Sequence, residues 1–209
     1  MEGRTSYRAR VADALRAALV AGTLLPGRIY SAPTLAARFG VSATPVREAM
    51  LDLVKEGLVT TVPNKGFRVT EVTEAQLDEF AQIRALIEIP TVTALTATAE
   101  PAALTALRPV ADEIVATAAT GDLVGYIEAD RRFHLGLLAL AGNAHLVEVV
   151  GDLRKRSRLY GLTALVERGL LEESAREHHE LLDALLTRDE TAVREVMTRH
   201  LTHVRTLWA

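Results

Sequence analysis

Between Leu35 and Gly57 the chain reads LAARFGVSATPVREAMLDLVKEG. No other segment constrains the fold as much. Leu35, Ala36 and Phe39 give a short helix one apolar side, and Ser31 with Pro33 supplies its start. Gly40 offers the left-handed conformation at which helices often end. Thr44-Pro45 restarts a helix as N-cap and first residue. Val46, Ala49, Met50, Leu53 and Val54 then share a face at helical spacing, and Gly57 ends the run. Leu58 to Val62 and Phe67 to Thr70 are rich in Val, Thr and Phe and flank Pro63-Asn64-Lys65-Gly66, which predicts a β-hairpin. Helix, turn, helix and hairpin in that order predict a winged helix-turn-helix. Double-stranded DNA is therefore the first partner to consider.

Charge supports that reading. The net charge of −3 hides an asymmetry: residues 1–70 hold ten Lys/Arg against five acids, and the other 139 residues hold 14 against 22. A basic front and an acidic back predict two domains, of which one meets a polyanion. The expected division is 1–72, winged helix-turn-helix, and 73–209, all-helical. At the start of the second helix, Ser42, Thr44 and Arg47 face a groove in the expected docking. Hydroxyls and N–H groups there suit phosphate, and Arg47 reaches phosphate or a guanine edge. Arg38 and the wing-tip Lys65 are candidates for the flanking backbone, and Gly66 for close approach of the wing.

From Thr73 onward strand signals vanish. Ala/Leu-rich stretches alternate with short breaks, predicting helices at roughly 74–98, 101–119, 122–141, 144–167, 171–187 and 190–207. Pro90 and Pro109 are expected to kink or interrupt the first two. The fold class is thus mainly α: a winged helix-turn-helix domain followed by an antiparallel bundle of about six helices. The absence of cysteine excludes disulfides, thiolate metal sites and cysteine nucleophiles. No apolar run reaches the ~18 residues of a membrane span, and the first residues lack a signal-peptide core. A cytoplasmic protein without membrane contact is expected.

All six histidines lie in the bundle. Asp130 and His134 share a face at i,i+4 with the apolar Ile127, Leu137, Leu138 and Ala141, so a polar pair points inward and needs partners. His178 and His200 each lie eleven residues from a hairpin turn at Asp189. Two antiparallel helices rise equally, so both imidazoles should stand about 16 Å from the turn, at one level. Their stripes are apolar, which turns both inward. Three imidazoles and a carboxylate converging in a bundle core suit a divalent transition metal: Zn, Ni, Mn or Fe. The alternative is four separately hydrogen-bonded core residues. His145, His179 and His203 are expected at the surface, as are Glu177 and Glu180 beside His178.

The stretch LPGRIYSAPTLAARFGVSATPVREAMLDLVKEGLV resembles the GntR family of bacterial transcription regulators. The family's usual Ser-Arg-Thr-Pro-Val-Arg-Glu-Ala run is here Ser42-Ala43-Thr44-Pro45-Val46-Arg47-Glu48-Ala49, so Ala43 removes one expected DNA contact. Ala32 stands where the family often has Glu. ADRRFHLGLLALAGNAHL resembles the all-helical, FCD-type effector domain of the FadR subgroup. Asp130, His134, His178 and His200 match that domain's metal ligands one by one. The resemblance implies that the metal and a nearby Arg hold the carboxylate of a small organic acid. Arg84 matches the frequent Arg of the first bundle helix; an ion pair with Glu88 at i+4 is its other reading. Arg154, Arg158 and Tyr160 are further candidates for the effector pocket.

The expectation is a homodimeric, metabolite-responsive repressor on a palindromic operator. A DNA-binding dimer with a purely structural bundle is the blander alternative. A metalloenzyme lacks an obvious general base, so no enzymatic activity is expected.

Overall fold

The computed structural model of the protein describes residues 7–20, 22–167 and 169–206, without the side chains of 158–165, 167 and 203–206. The chain divides into two compact units, Met1–Val72 and Thr73–Ala209.

The first unit runs α1 (Tyr7–Val20), β1 (Ile29–Tyr30), α2 (Ala32–Phe39), α3 (Ala43–Lys55), β2 (Val59–Val62) and β3 (Gly66–Val69). The Ser31 hydroxyl accepts the Thr34 N–H at 3.1 Å and so caps α2. Gly40 ends it at φ 66°. The N-cap of α3 is Ser42 rather than the expected Thr44. Thr44 and Pro45 lie inside the first turn, where a missing N–H costs no helical bond. Leu15, Leu35, Val46, Ala49 and Leu53 are wholly buried and join α1, α2 and α3 into one core. Arg8 donates to Asp52 at 2.7 Å and Arg16 to Glu56 at 3.0 Å, fastening α1 to α3.

The hairpin of β2 and β3 forms as expected, but it is part of a three-stranded antiparallel sheet in the order β1-β3-β2. A two-residue strand carries no readable periodicity, which is why β1 escapes sequence reading. At the turn, Lys65 donates its N–H to the Val62 carbonyl at 3.1 Å, and Asn64 takes φ 60°. Proline followed by a left-handed Asn suits a tight turn of this kind.

The second unit is seven helices among the described residues: α4 (Glu74–Thr98), α5 (Pro101–Thr105), α6 (Arg108–Thr120), α7 (Leu123–Ala139), α8 (Ala144–Glu167), α9 (Leu171–Leu186) and α10 (Glu190–Thr206). The expected 101–119 helix is two, because Pro109 is accommodated in the first turn of a new helix. Pro90, by contrast, lies within an unbroken α4. That helix opens with a capping box: Thr73 Oγ1 accepts from Gln76 N, and Gln76 Oε1 from Thr73 N. No described helix is long and apolar enough to cross a membrane. Helix α10 packs on α4 and α9, α6 on α7 and α9, and α8 on α4 and α7. Inward residues of α4, α7, α8, α9 and α10 can therefore meet in one core.

Candidate metal centre and nucleic-acid interface

The turn between α9 and α10 fixes the level of two histidines. Arg188 adopts φ 57°, Asp189 returns its N–H to the Ala184 carbonyl, and the Asp189 carboxylate accepts the Ala192 N–H at 3.0 Å. Across this hairpin the His178 and His200 rings stand 4.8 Å apart, centre to centre. His134 Nε2 on α7 lies 3.1 Å from the Nε2 atoms of both. Asp130 Oδ1 is 3.3 Å from His178 Nε2 and 3.7 Å from His134 Nε2. All four side chains are buried, and one donor atom from each falls within a 4.8 Å span. Phe133 closes the wall with its ring edge-on to His134 and His178.

The proton arrangement tests whether a metal fits. His178 Nδ1 sits 3.0 Å from the Ala175 carbonyl oxygen, and His200 Nδ1 sits 2.8 Å from Glu177 Oε2. Both neighbours only accept, so each Nδ1 carries the ring proton and each Nε2 presents a lone pair. Two lone pairs and a carboxylate oxygen thus face His134 Nε2, and one N–H cannot satisfy all three. Extra protons on His134 or His200 do not resolve the conflict. Burial, then Arg154 and the neighbouring imidazoles, hold His134 well below its ordinary value. Burial likewise pushes His200 down to about 4, although Glu177 pulls it upward. Ligand atoms about 2.1 Å from a common ion stand about 3.0–3.4 Å apart, which matches the imidazole spacing. Neutral imidazoles and a carboxylate are the donor set that a divalent transition ion takes.

A buried ionic chain abuts the cluster. Arg84 donates Nε to Glu88 at 2.7 Å, Arg154 donates to the other Glu88 oxygen, and Arg154 also donates to Asp130 Oδ2 at 3.2 Å. Burial pushes Glu88 upward, yet Arg154 and Arg84 outweigh it and hold the carboxyl at about 2. Burial and then Arg154 lower Arg84 to about 10. Arg154 Nε has no hydrogen-bond partner among the described residues. Arg84 therefore makes the pair with Glu88 that its i+4 spacing allows. The side chains of Arg158 and Tyr160 lie outside the described residues, as does that of His203.

Sequence reasoning named Glu88 only as an ion-pair partner of Arg84, did not single out Phe133, and misplaced Glu177. Glu177, expected in solvent, is 2% exposed and bridges His200 and Arg199. The helical stripe that would have revealed it faces α10, not the apolar centre. His179 pairs with Asp112 at 3.2 Å. His145 stands in solvent beside Glu148.

In the first unit Ser42, Thr44, Arg47 and Lys65 are all exposed, at the start of α3 and at the hairpin tip. Arg38 donates to the Thr23 carbonyl at 3.1 Å, so part of its fork is engaged. Gly66 has an internal reason for being glycine. At φ 127°, a Cβ there would run into the Tyr30 carbonyl and stand 2.9 Å from Ser31 Cα, against the start of the β1 pairing.

Two family models match this sequence. "Bacterial regulatory proteins, gntR family" spans residues 7–69, and "FCD domain" spans residues 79–203. An uncharacterized HTH-type transcriptional regulator from an unstable DNA locus of Streptomyces ambofaciens is 32% identical over 95% of this chain and 83% of its own length. The HTH-type transcriptional regulator McbR of Escherichia coli strain K12 is 30% identical over 92% of this chain and 88% of its own. The solved structure of E. coli McbR/YncC superposes with a TM-score of 0.68, covering 94% of each chain. A GntR transcriptional regulator from Rhodococcus sp. RHA1, 27% identical, superposes with a TM-score of 0.69 and covers 97% of each.

Proposed function

Because this chain belongs to the GntR family of bacterial regulatory proteins, with an FCD domain behind its DNA-binding unit, we propose that it is a cytoplasmic, metal-dependent sensor of a small carboxylate. The family and the relatives are DNA-binding transcriptional regulators, not enzymes.

The observation that carries the reading is the buried cluster of Asp130, His134, His178 and His200 beside Arg154. Those four side chains would hold a divalent ion (Zn, Ni, Mn or Fe), which would supply positive charge to attract a carboxylate oxygen. The charges around it favour an anion. Arg84 and Arg154 are matched by Glu88 and Asp130, so two added positive charges would be left unbalanced in a buried core. A small organic acid meets that need, and Arg154 Nε, without a hydrogen-bond partner among the described residues, is a donor to receive it. Arg84 acts through Glu88, which it helps hold against Arg154. Arg158 and Tyr160, further along α8, are the remaining candidates for lining the pocket.

Operator recognition is assigned to Ser42, Thr44 and Arg47 in the groove, with Arg38, Lys65 and Gly66 on flanking backbone. Ala43 shortens the reading surface by one side chain relative to the family's usual run. A homodimer places two such helices on half-sites about 34 Å apart. Support for dimerisation comes from α4, where Ile83 and Leu86 are 41% and 70% exposed and fall with Pro90 on one stripe. Repression is the proposed direction, since an operator-bound dimer excludes polymerase by occupancy alone.

The test is metal analysis of the purified chain beside a His178→Ala/His200→Ala variant, followed by gel shifts with small carboxylic acids. About one metal per chain, lost in the variant, and a metal-dependent acid that alters operator affinity are expected. No metal after incubation with Zn, Ni or Mn would sink the sensor reading.

A further inference from the structure

Glu177 occupies a costly position. It is 2% exposed, and a buried carboxylate persists only with good partners. Its Oε1 accepts Arg199 Nε at 2.8 Å and its Oε2 accepts His200 Nδ1–H at 2.8 Å. Arg199 also reaches Glu180, which ties the guanidinium to α9.

The three imidazoles of the cluster are not oriented alike. His178 gives its Nδ1 proton to Ala175, one turn back on its own helix, so the acceptor for that proton comes from α9 itself. His200 gives its proton across to another helix. A free histidine side chain favours the tautomer with its proton on Nε2, the atom that here must offer a lone pair. Something outside α10 has to reverse that preference, and Glu177 is the acceptor in place to do so.

We infer that Glu177 is the positioning residue for His200: it holds the proton on Nδ1, fixes the ring, and thereby presents Nε2 to the centre. Arg199 orients the carboxylate from its outer side. A carboxylate behind a ligating imidazole also raises the basicity of the ligand. The inference rests on the metal reading of the cluster, but its first test does not.

The test uses the full chain with 15N-labelled histidine. Long-range 1H–15N spectra of the metal-free protein report the tautomer of each ring. Wild type should show His200 protonated on Nδ1, and Glu177→Ala should shift it towards Nε2. Glu177→Gln, which keeps an acceptor and nearly the same shape, should retain much of the Nδ1 form and guard against a folding artefact. Zn affinity, read by competition with a chromophoric chelator, should fall about 10- to 100-fold in Glu177→Ala. It should fall less in Glu177→Gln and least in Arg199→Ala. Glu177→Ala that keeps both the Nδ1 tautomer and Zn affinity, while losing only thermal stability, would overturn the inference and leave a simple clip between α9 and α10. If wild type binds no Zn, the metal reading fails, and the tautomer spectra still decide the role of Glu177.

Discussion

At the residue scale, the second unit is governed by charges it has removed from water. Arg154 is 1% exposed and holds both Glu88 and Asp130. Replacing it with Met keeps much of the volume but leaves Glu88 with Arg84 alone and exposes Asp130 to its own desolvation. Arg154→Met should therefore destabilise the protein by about 3–5 kcal/mol, as measured by urea unfolding. A pH dependence follows from the same burial. The folded value of His200, about 4, lies below the ordinary 6.5. The unfolded chain then takes up that proton first, so stability is whole above pH 6.5 and falls as pH drops towards 4. Glu88 adds a second window, with stability present above 4.5 and lost as pH falls through about 2. Metal-free protein should lose stability between pH 6.5 and 4.5, by at most about 1.4 kcal/mol per pH unit for each proton taken up. His200→Gln should flatten that slope in urea titrations; an unchanged slope would mean another group carries it.

At the element scale, the sequence exposes whatever repeats and hides whatever depends on a neighbour. The helical stripes of α4, α9 and α10 are long enough to read. Counting residues from Asp189 is enough to bring His178 and His200 level, because both helices rise at the same rate. Three features are not legible for one shared reason. Strand β1 exists only because Arg68 and Phe67 offer it hydrogen-bonding edges. Glu177 is buried only because α10 lies over it. The N-cap of α3 is Ser42, two residues earlier than the Thr-Pro signal implies, which local sequence does not distinguish. Gly66 gives this dependence a test. Gly40→Ala meets no neighbour within 4 Å and suffers only its left-handed φ, so it should cost about 1 kcal/mol. Gly66→Ala adds a collision with Tyr30 and Ser31, so it should cost more than Gly40→Ala, by roughly another 1–3 kcal/mol of overpacking, in thermal unfolding of the full chain. Equal costs would mean that β1 gives way freely.

At the scale of the whole molecule, two units share one chain through residues 70–73, between the end of β3 and the capping box that starts α4. A sensor must let the events in one unit change the affinity of the other. By linkage, an acid changes operator affinity only as far as it binds the DNA-competent and incompetent states differently, and DNA must change acid affinity by the same factor. Variants in the two units should therefore separate cleanly. Arg47→Ala should weaken operator binding by about 1–3 kcal/mol while leaving intact the gain in thermal stability from metal and acid. Lys65→Ala should weaken binding more uniformly across sequences and reduce its salt slope by about 1. The His178→Ala/His200→Ala variant should do the reverse: it should bind operator, which also shows that the chain is folded, yet no acid should shift that binding. In the wild type, an acid at ~100-fold above its dissociation constant should add about 2.7 kcal/mol of stability, and this gain should vanish in the variant. If the double variant still answers the same acid with the same shift in operator affinity, the histidine cluster is not the sensing site. The effector would then be held by other groups of the bundle, with the ionic chain of Arg84, Glu88 and Arg154 the next place to look.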